Sequence, residues 1–169
     1  GTAAFAAYDL THMHIPANVT EMGRGGVGEC PALESITVAD GNTHFGVFDG
    51  VLMDKAQTRL ICYPAKLAGK TYTVPATVTT IDKRAFRYLA NLTSVTIPAS
   101  VTELAYSMFY QALSLAEINI DPANTAYCSA DGVVYNADKD NLLIYPAGKT
   151  TKFYTPDFPV KTIDISAYL

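Results

Sequence analysis

The sequence has no tryptophan, only three cysteines and few charged side chains. Cys30, Cys62 and Cys128 are widely spaced, and an odd number without a Cys-x-x-Cys pair argues against a disulfide framework or a zinc site. Charged residues make up 17% of the chain, with 12 basic against 16 acidic residues and no basic run. The electrostatic pattern of a nucleic-acid-binding protein is therefore missing. We expect no cofactor, no metal and no nucleic-acid partner.

Long apolar runs are also missing. No stretch approaches the roughly 18 apolar residues that a membrane helix needs, so we expect no membrane insertion by this chain. No signal peptide is visible, and the chain begins abruptly, as a trimmed fragment would. What is present is 49% hydrophobic residues, with uncharged polar residues that are mostly Thr, Ser and Asn. That composition is typical of one globular domain rich in strands and turns.

The sequence repeats itself with an 82-residue period and without gaps. Residues 36–86 align with residues 118–168, and 18 of the 51 positions are identical. The shared positions include an Asn-Thr pair, an Asp-Gly-Val run, a Tyr-Pro-Ala run and a Thr-Ile-Asp run. A shorter 23-residue unit lies inside the long one, because residues 74–81 (VPATVTTI) become residues 97–104 (IPASVTEL).

One marker position shows how the two periods fit together. The marker falls at positions 15, 38, 74, 97, 120 and 156, so most rungs follow the 23-residue spacing and two are longer, with a 36-residue spacing. Periods of 20–29 residues are typical of leucine-rich repeats, in which each rung buries its apolar face against the next. We predict a single domain over residues 1–169, made of two 82-residue units in which the rung lengths are 23, 36 and 23. The chain is expected to start and end inside a rung.

Segments such as residues 93–97 (TSVTI) alternate polar and apolar residues, which predicts half-buried strands. Strands stacked at the same phase would form a parallel sheet, with one column of side chains pointing in and one pointing out. The outward ladder would comprise six steps: His12/His14, Ser35/Thr37, Thr71/Thr73, Ser94/Thr96, Glu117/Asn119 and Phe153/Thr155.

The opposite face of each rung is predicted to differ between short and long rungs. Residues 82–89 and 105–112 carry an apolar stripe and are predicted to form single helical turns. In the long rungs, residues 131–135 and 142–146 read as two strands around a polar turn at 136–141, and residues 49–64 repeat this pattern. We therefore expect an α+β solenoid: a right-handed coil with a parallel sheet on one face, and short helical turns and two β-hairpin insertions on the other.

These residues resemble the BspA-like family of bacterial leucine-rich repeats. The family pattern, approximately IPxSVTxIGxxAFxxCxxLxxIxI, matches closely at residues 97–104 and at Ala85-Phe86, Leu92 and Val95. Cys30 lies at the family's Cys position. Asp82 departs from the pattern at its Gly, and residues 23–28 (GRGGVG) replace its Ala-Phe turn, so these turns are expected to be looser.

The resemblance implies a secreted or surface-anchored bacterial protein linked to adhesion, and it carries no catalytic residues. We expect an extracellular or cell-surface interaction module that binds host or matrix protein. The alternatives are a carbohydrate-binding accessory protein and a non-binding structural spacer. The oligomeric state is left open.

The candidate interaction surface consists of the first five ladder steps, together with two tyrosines. Tyr106 and Tyr110 align with Lys83 and Arg87 at the 23-residue offset, and exposed tyrosines are enriched at binding surfaces. A metal site at the neighbouring histidines of the first ladder step lacks further ligands nearby. The Gly-rich residues 23–28 lack the Lys-Ser/Thr of a phosphate-binding loop. No catalytic residue is predicted, since no Ser/Cys, His and acid are placed together.

Overall fold

The computed structural model describes residues 7–164, apart from the side chain of Tyr106. Short strands account for nearly all regular structure there, and one 3-10 turn covers Tyr106–Phe109. The strands are β1 His12–Ile15, β2 Ser35–Val38, β3 Phe45–Phe48, β4 Val51–Asp54, β5 Arg59–Cys62, β6 Thr71–Thr73, β7 Thr80–Ile81, β8 Ser94–Ile97, β9 Glu117–Ile120, β10 Tyr127–Ala130, β11 Val133–Asn136, β12 Asn141–Ile144 and β13 Thr162–Ile163. The fold is a leucine-rich-repeat-like β-solenoid of about seven turns.

Strand positions follow the 82-residue period. The first unit's β1, β2, β3, β4, β5 and β7 recur one period later as β8, β9, β10, β11, β12 and β13, with the same lengths. The strands predicted from alternation are found: Val95 and Ile97 of β8 are fully buried, and Met13 and Ile15 of β1 are nearly so.

The parallel sheet is present but broken in two. One sheet pairs β1 with β2, and another has the order β6-β8-β9, both parallel. Between them lies the first long rung, whose strands β3-β4-β5 form an antiparallel meander joined to β7 in parallel. The expectation of one continuous ladder is therefore wrong. The additional segment of the long rung leaves the coil to make its own sheet.

Each long rung holds the predicted hairpin and one more. Strands β11 and β12 pair as expected, but Asp131 and Gly132 are not part of β11. With φ values of 50° and 71°, they form the two-residue turn between β10 and β11, and Asp49 and Gly50 do the same in the first unit. Two consecutive positive φ angles characterise the type I′ turn, for which Asp-Gly is a preferred sequence.

The predicted helical turns are largely absent, so the α+β description is wrong in that part. Within residues 82–89, residues 83–88 form consecutive turns, and only the Tyr106–Phe109 segment is a 3-10 turn. Tyr88 and Gln111 both adopt φ of 59°, which no right-handed helix accommodates. The apolar stripe is nevertheless buried as predicted, and the rings of Phe86 and Phe109 stack with centroids 5.5 Å apart.

The prediction that the sixth ladder step lies on a strand is also wrong. Phe153 and Thr155 lie outside any strand, and Phe153 is 91% exposed. Their counterparts in β6 pair with β8 of the following rung, whereas no strand among residues 7–164 pairs with this segment. A strand without a partner leaves its backbone hydrogen bonds to water, so it does not form.

Three clusters of buried apolar side chains follow one another along the solenoid. The largest spans the central rungs. Within the described part of the chain, no helix is long and apolar enough to cross a membrane.

Candidate interaction surface

The first part of the ladder lies on β1 and β2. His12 is opposite Ser35 and His14 is opposite Thr37, as the repeat alignment predicted. The two histidines and Thr37 are exposed, and Ser35 is half-buried. The Nδ1 atom of His14 lies 2.9 Å from the hydroxyl of Thr37, so this ring nitrogen bonds sideways along the ladder.

The second part lies on β6, β8 and β9. Thr71, Ser94 and Glu117 stand side by side, and one step further along lie Thr73, Thr96 and Asn119. Thr71, Thr73 and Glu117 are exposed, whereas Ser94, Thr96 and Asn119 are half-buried. The Asn119 amide donates to the hydroxyl of Ser94 over 3.2 Å.

Chemically, the ladder is a shallow polar surface. Its hydroxyls both donate and accept hydrogen bonds, Glu117 is its only acidic side chain, and it contains no lysine or arginine. No group of three or more His, Cys, Asp or Glu side chains among the described residues is arranged to hold a metal ion. The arrangement offers polar contacts rather than a metal site.

Of the two predicted tyrosines, the Tyr106 side chain falls outside the described part of the structure. Tyr110 is 39% exposed, but part of its ring is covered. The Arg87 guanidinium lies 5.0 Å from the ring centroid, and Tyr88 meets the ring edge-on at 6.2 Å. Tyr110 thus packs on the preceding rung while keeping part of its surface in solvent.

Sequence reasoning missed a charged cluster beneath this tyrosine. Glu29 forms ion pairs with Arg84 and Arg87 and accepts a 2.9 Å hydrogen bond from the Tyr88 hydroxyl. Burial, together with the neighbouring carboxylate, raises the pKa of Tyr88 to about 12, so the hydroxyl stays a donor. The signal was present, because at the 23-residue offset Arg84, Arg87 and Tyr88 align with Ser107, Tyr110 and Gln111, so the repeat itself requires none of the three.

The Gly-rich residues 23–28 are not a loose turn, contrary to the expectation. Gly25, Gly26 and Gly28 are buried, and a Cβ at Gly28 would lie 2.2 Å from the Cβ of Arg84. Glycine is needed there because another backbone approaches closely. The Gly25 amide donates to a carboxylate oxygen of Asp82 over 3.1 Å, so it is not available to a phosphate.

The contacts of this buried Asp82 explain why an acid stands where the repeat pattern has Gly. Arg59 grips it with two hydrogen bonds of 2.8 Å, one from Nε and one from Nη2. Arg59 also donates to the Met22 carbonyl over 3.2 Å. Asp82 therefore ties the glycine loop to β5 rather than loosening a turn.

The repeat matches a known family over most of its length. The model described as "BspA type Leucine rich repeat region" matches six copies, over residues 1–48 and 62–130. The match leaves out residues 49–61, in the middle of the first meander, and residues 131–169. Comparison with curated proteins found no significant match.

Solved structures with the same fold come from bacteria. The pneumococcal vaccine antigen PcpA is 22% identical with a TM-score of 0.65, covering 91% of this chain and 35% of that one. A leucine-rich cell surface protein from Faecalibacterium prausnitzii A2-165 is 27% identical with a TM-score of 0.66, covering 95% of this chain and 39% of that one. A leucine-rich repeat protein from Eubacterium ventriosum is 21% identical with a TM-score of 0.56, covering 92% and 48%. The chain thus spans less than half the length of each.

Proposed function

The chain belongs to the BspA-type leucine-rich-repeat family, and from that membership we propose that it is an extracellular or cell-surface module that binds another protein, serving adhesion to host or matrix protein. The family and fold are those of repeat proteins that typically bind or build rather than catalyse. Two of the similar structures carry names that place them as a vaccine antigen and a cell surface protein.

The observation that carries the proposal is the polar ladder. In register on β6, β8 and β9, six side chains form two parallel columns on one face. Because the strands run parallel at about 4.8 Å spacing, each column repeats a hydrogen-bonding group at constant distance. A partner gains many modest contacts rather than one deep pocket, which favours a macromolecule over a small ligand.

A binding array tests the proposal. The purified chain is applied to immobilised extracellular-matrix proteins and to a glycan panel at physiological salt. Thr37→Arg and Thr73→Arg place a bulky cation on each ladder part, and Thr102→Arg makes the same change at an exposed position outside both. We expect a selective protein hit whose affinity falls at least tenfold with one ladder variant and stays within twofold with the control.

The main alternative is a carbohydrate-binding accessory protein that uses Tyr110. Its exposed ring area supports this reading, and the Arg87 guanidinium against the ring weakens it. A glycan hit abolished by Tyr110→Ala and indifferent to the ladder variants would replace the protein-binding proposal. Absence of any saturable hit would leave the structural spacer.

A further inference from the structure

The outer edge of β2 carries unpaired backbone groups. On the side facing β1, the Ser35 amide donates to the Thr11 carbonyl over 3.3 Å, and the Ala39 amide donates to the Ile15 carbonyl over 2.9 Å. Since backbone groups alternate sides along a strand, those of Ile36 and Val38 point away from β1. Neither of these two amides finds an acceptor among residues 7–164.

The second unit shows the same edge closed. In β9 the Ile118 amide donates to the Gly132 carbonyl over 2.9 Å, and the Ile120 amide donates to the Ser129 hydroxyl over 2.9 Å. The turn also comes close: a Cβ on Gly132 would lie 2.9 Å from the Cα of Glu117. Strand β10 and its turn thus take the place of a pairing strand.

In the first unit neither of these two hydrogen bonds forms. Val47 occupies the position of Ser129 and has no hydroxyl to offer. The atoms nearest to a Cβ on Gly50 belong to Leu67, not to β2. What remains between β2 and β3 is a groove of about 400 Å³, whose walls include Val47, Phe48 and Lys55.

We propose that this groove, referred to as the β2 edge groove and lined by residues 36–40, 45–48 and 55, binds an extended segment of a partner protein that adds to the edge of β2. The proposal deepens the protein-binding function proposed above and rests on it.

An extended peptide is the occupant that fits the exposed groups. Ile36 and Val38 each present an N–H and a C=O two residues apart, the spacing at which a paired strand presents its own groups. A small anion only accepts hydrogen bonds and so leaves the carbonyls unpaired, whereas a peptide strand presents donors and acceptors in the matching order. Val47 and Phe48 make part of the groove wall apolar, which favours apolar side chains on the peptide, and the edge is short, so affinity is modest.

The probe is a library of random seven-residue peptides, screened against the complete 169-residue chain. Hits are resynthesised with N-methyl groups at alternate residues, in both registers, and measured by fluorescence anisotropy. We expect one register to weaken binding at least tenfold, because it removes the amides that face β2, and the other to be tolerated.

Val47→Ser copies the closed unit and supplies an acceptor for the Val38 amide. It should weaken peptide binding at least fivefold, whereas Val47→Ala, which trims the wall without adding a hydroxyl, should weaken it less than twofold. Thermal unfolding followed by circular dichroism confirms that both variants fold. Amide exchange by NMR should show Val38 exchanging at least tenfold faster than Ile120, and slowing when peptide is added.

Three results would overturn the inference: no peptide binding below about 1 mM, binding indifferent to Val47→Ser, or tolerance of N-methylation in both registers. Concentration-dependent self-association that Val47→Ser abolishes would assign the groove to a second copy of the chain instead. Thr37 lines the groove as well as the ladder, so Thr73→Arg separates the two proposals. Matrix binding that falls with Thr73→Arg while the groove binds no peptide refutes this inference alone. Failure of the protein-binding function proposed above is seen separately, as the absence of binding to any protein of the matrix array.

Discussion

A buried asparagine that links neighbouring rungs offers the sharpest test of how the solenoid is held together. The Asn124 side-chain amide donates to the carbonyls of Pro98 and Val101 over 3.1 and 2.8 Å. Its side-chain oxygen accepts from the amides of Ala126 and Tyr127 over 2.9 and 3.0 Å. Asn42 makes the same four bonds in the first unit. One side chain thus fastens the start of each meander to the turn of the rung before it.

Replacing Asn124 by alanine leaves two carbonyls and two amides without partners at a site that is 9% exposed. At about 1 kcal/mol net for each hydrogen bond, and with water reaching some of these groups, the expected loss is about 2–4 kcal/mol. Asn42→Ala should cost at least as much, because Asn42 is only 2% exposed. The two networks share no residue, so the losses should add.

The assay is urea unfolding followed by circular dichroism, with the free energy of unfolding taken from the midpoint and slope. Asn91→Ala is the matched control. Its amide also bridges two carbonyls of the preceding rung, those of Lys66 and Leu67, but it is exposed, so water can replace it. We expect a loss below about 1 kcal/mol there. If Asn124→Ala costs no more than Asn91→Ala, burial of the amide is not what makes the link strong, and the reasoning is refuted.

Three further predictions concern other parts of the chain. Gly28→Ala forces a Cβ to within 2.6 Å of the Arg84 carbonyl oxygen and should destabilise the fold by about 3 kcal/mol or more in the same urea assay; full stability would contradict the close approach. Burial raises the pKa of Asp54, but hydrogen bonds from the hairpin turn outweigh it, so the net pKa lies below its usual value. The Asp54 carboxylate therefore stabilises the fold above pH about 4, and this stabilisation is lost as the pH falls through the folded pKa. In Asp54→Asn, which copies Asn136 of the second unit, the free energy of unfolding from urea titrations should fall less steeply with acid. Burial raises the pKa of Cys62 to about 12, so iodoacetamide at pH 8 should modify it only as fast as the chain unfolds, and rapid labelling of the folded chain would contradict its burial.

The rung strands were predictable because each residue pattern is local and repeated. The 23-residue spacing places Thr71, Ser94 and Glu117 at the same position of successive rungs, and the structure pairs these residues as expected. The hairpins were predictable in part. The Asp-Gly pair at 131–132 is itself a turn signal, but it stood next to a β-branched run and was assigned to the strand.

Contacts between rungs, which join residues far apart in sequence, were beyond the sequence reasoning. The glycine stretch looked loose because the backbone of Arg84, far away in sequence, was not known to press on it. Asp82 looked like a broken pattern because its partner Arg59 lies one rung earlier, on the other side of a hairpin. The same limit applied to Tyr110, whose ring is partly covered by the rung before it.

By itself, the sequence determined the repeat, its two rung lengths, the buried and outward phases of β1, β2, β6, β8 and β9, and the family. These depend on periodicity, which hydrophobic burial converts directly into stacked rungs. Only the tertiary structure decided where the parallel sheet stops, since the long rungs leave the coil and form their own antiparallel sheets. It also decided that one copy of the repeat closes the strand edge beside it and the other leaves it open. The physical reason is that a hydrogen bond depends on distances of a few tenths of an ångström, and these are set by the packing of whole rungs rather than by the local order of residues.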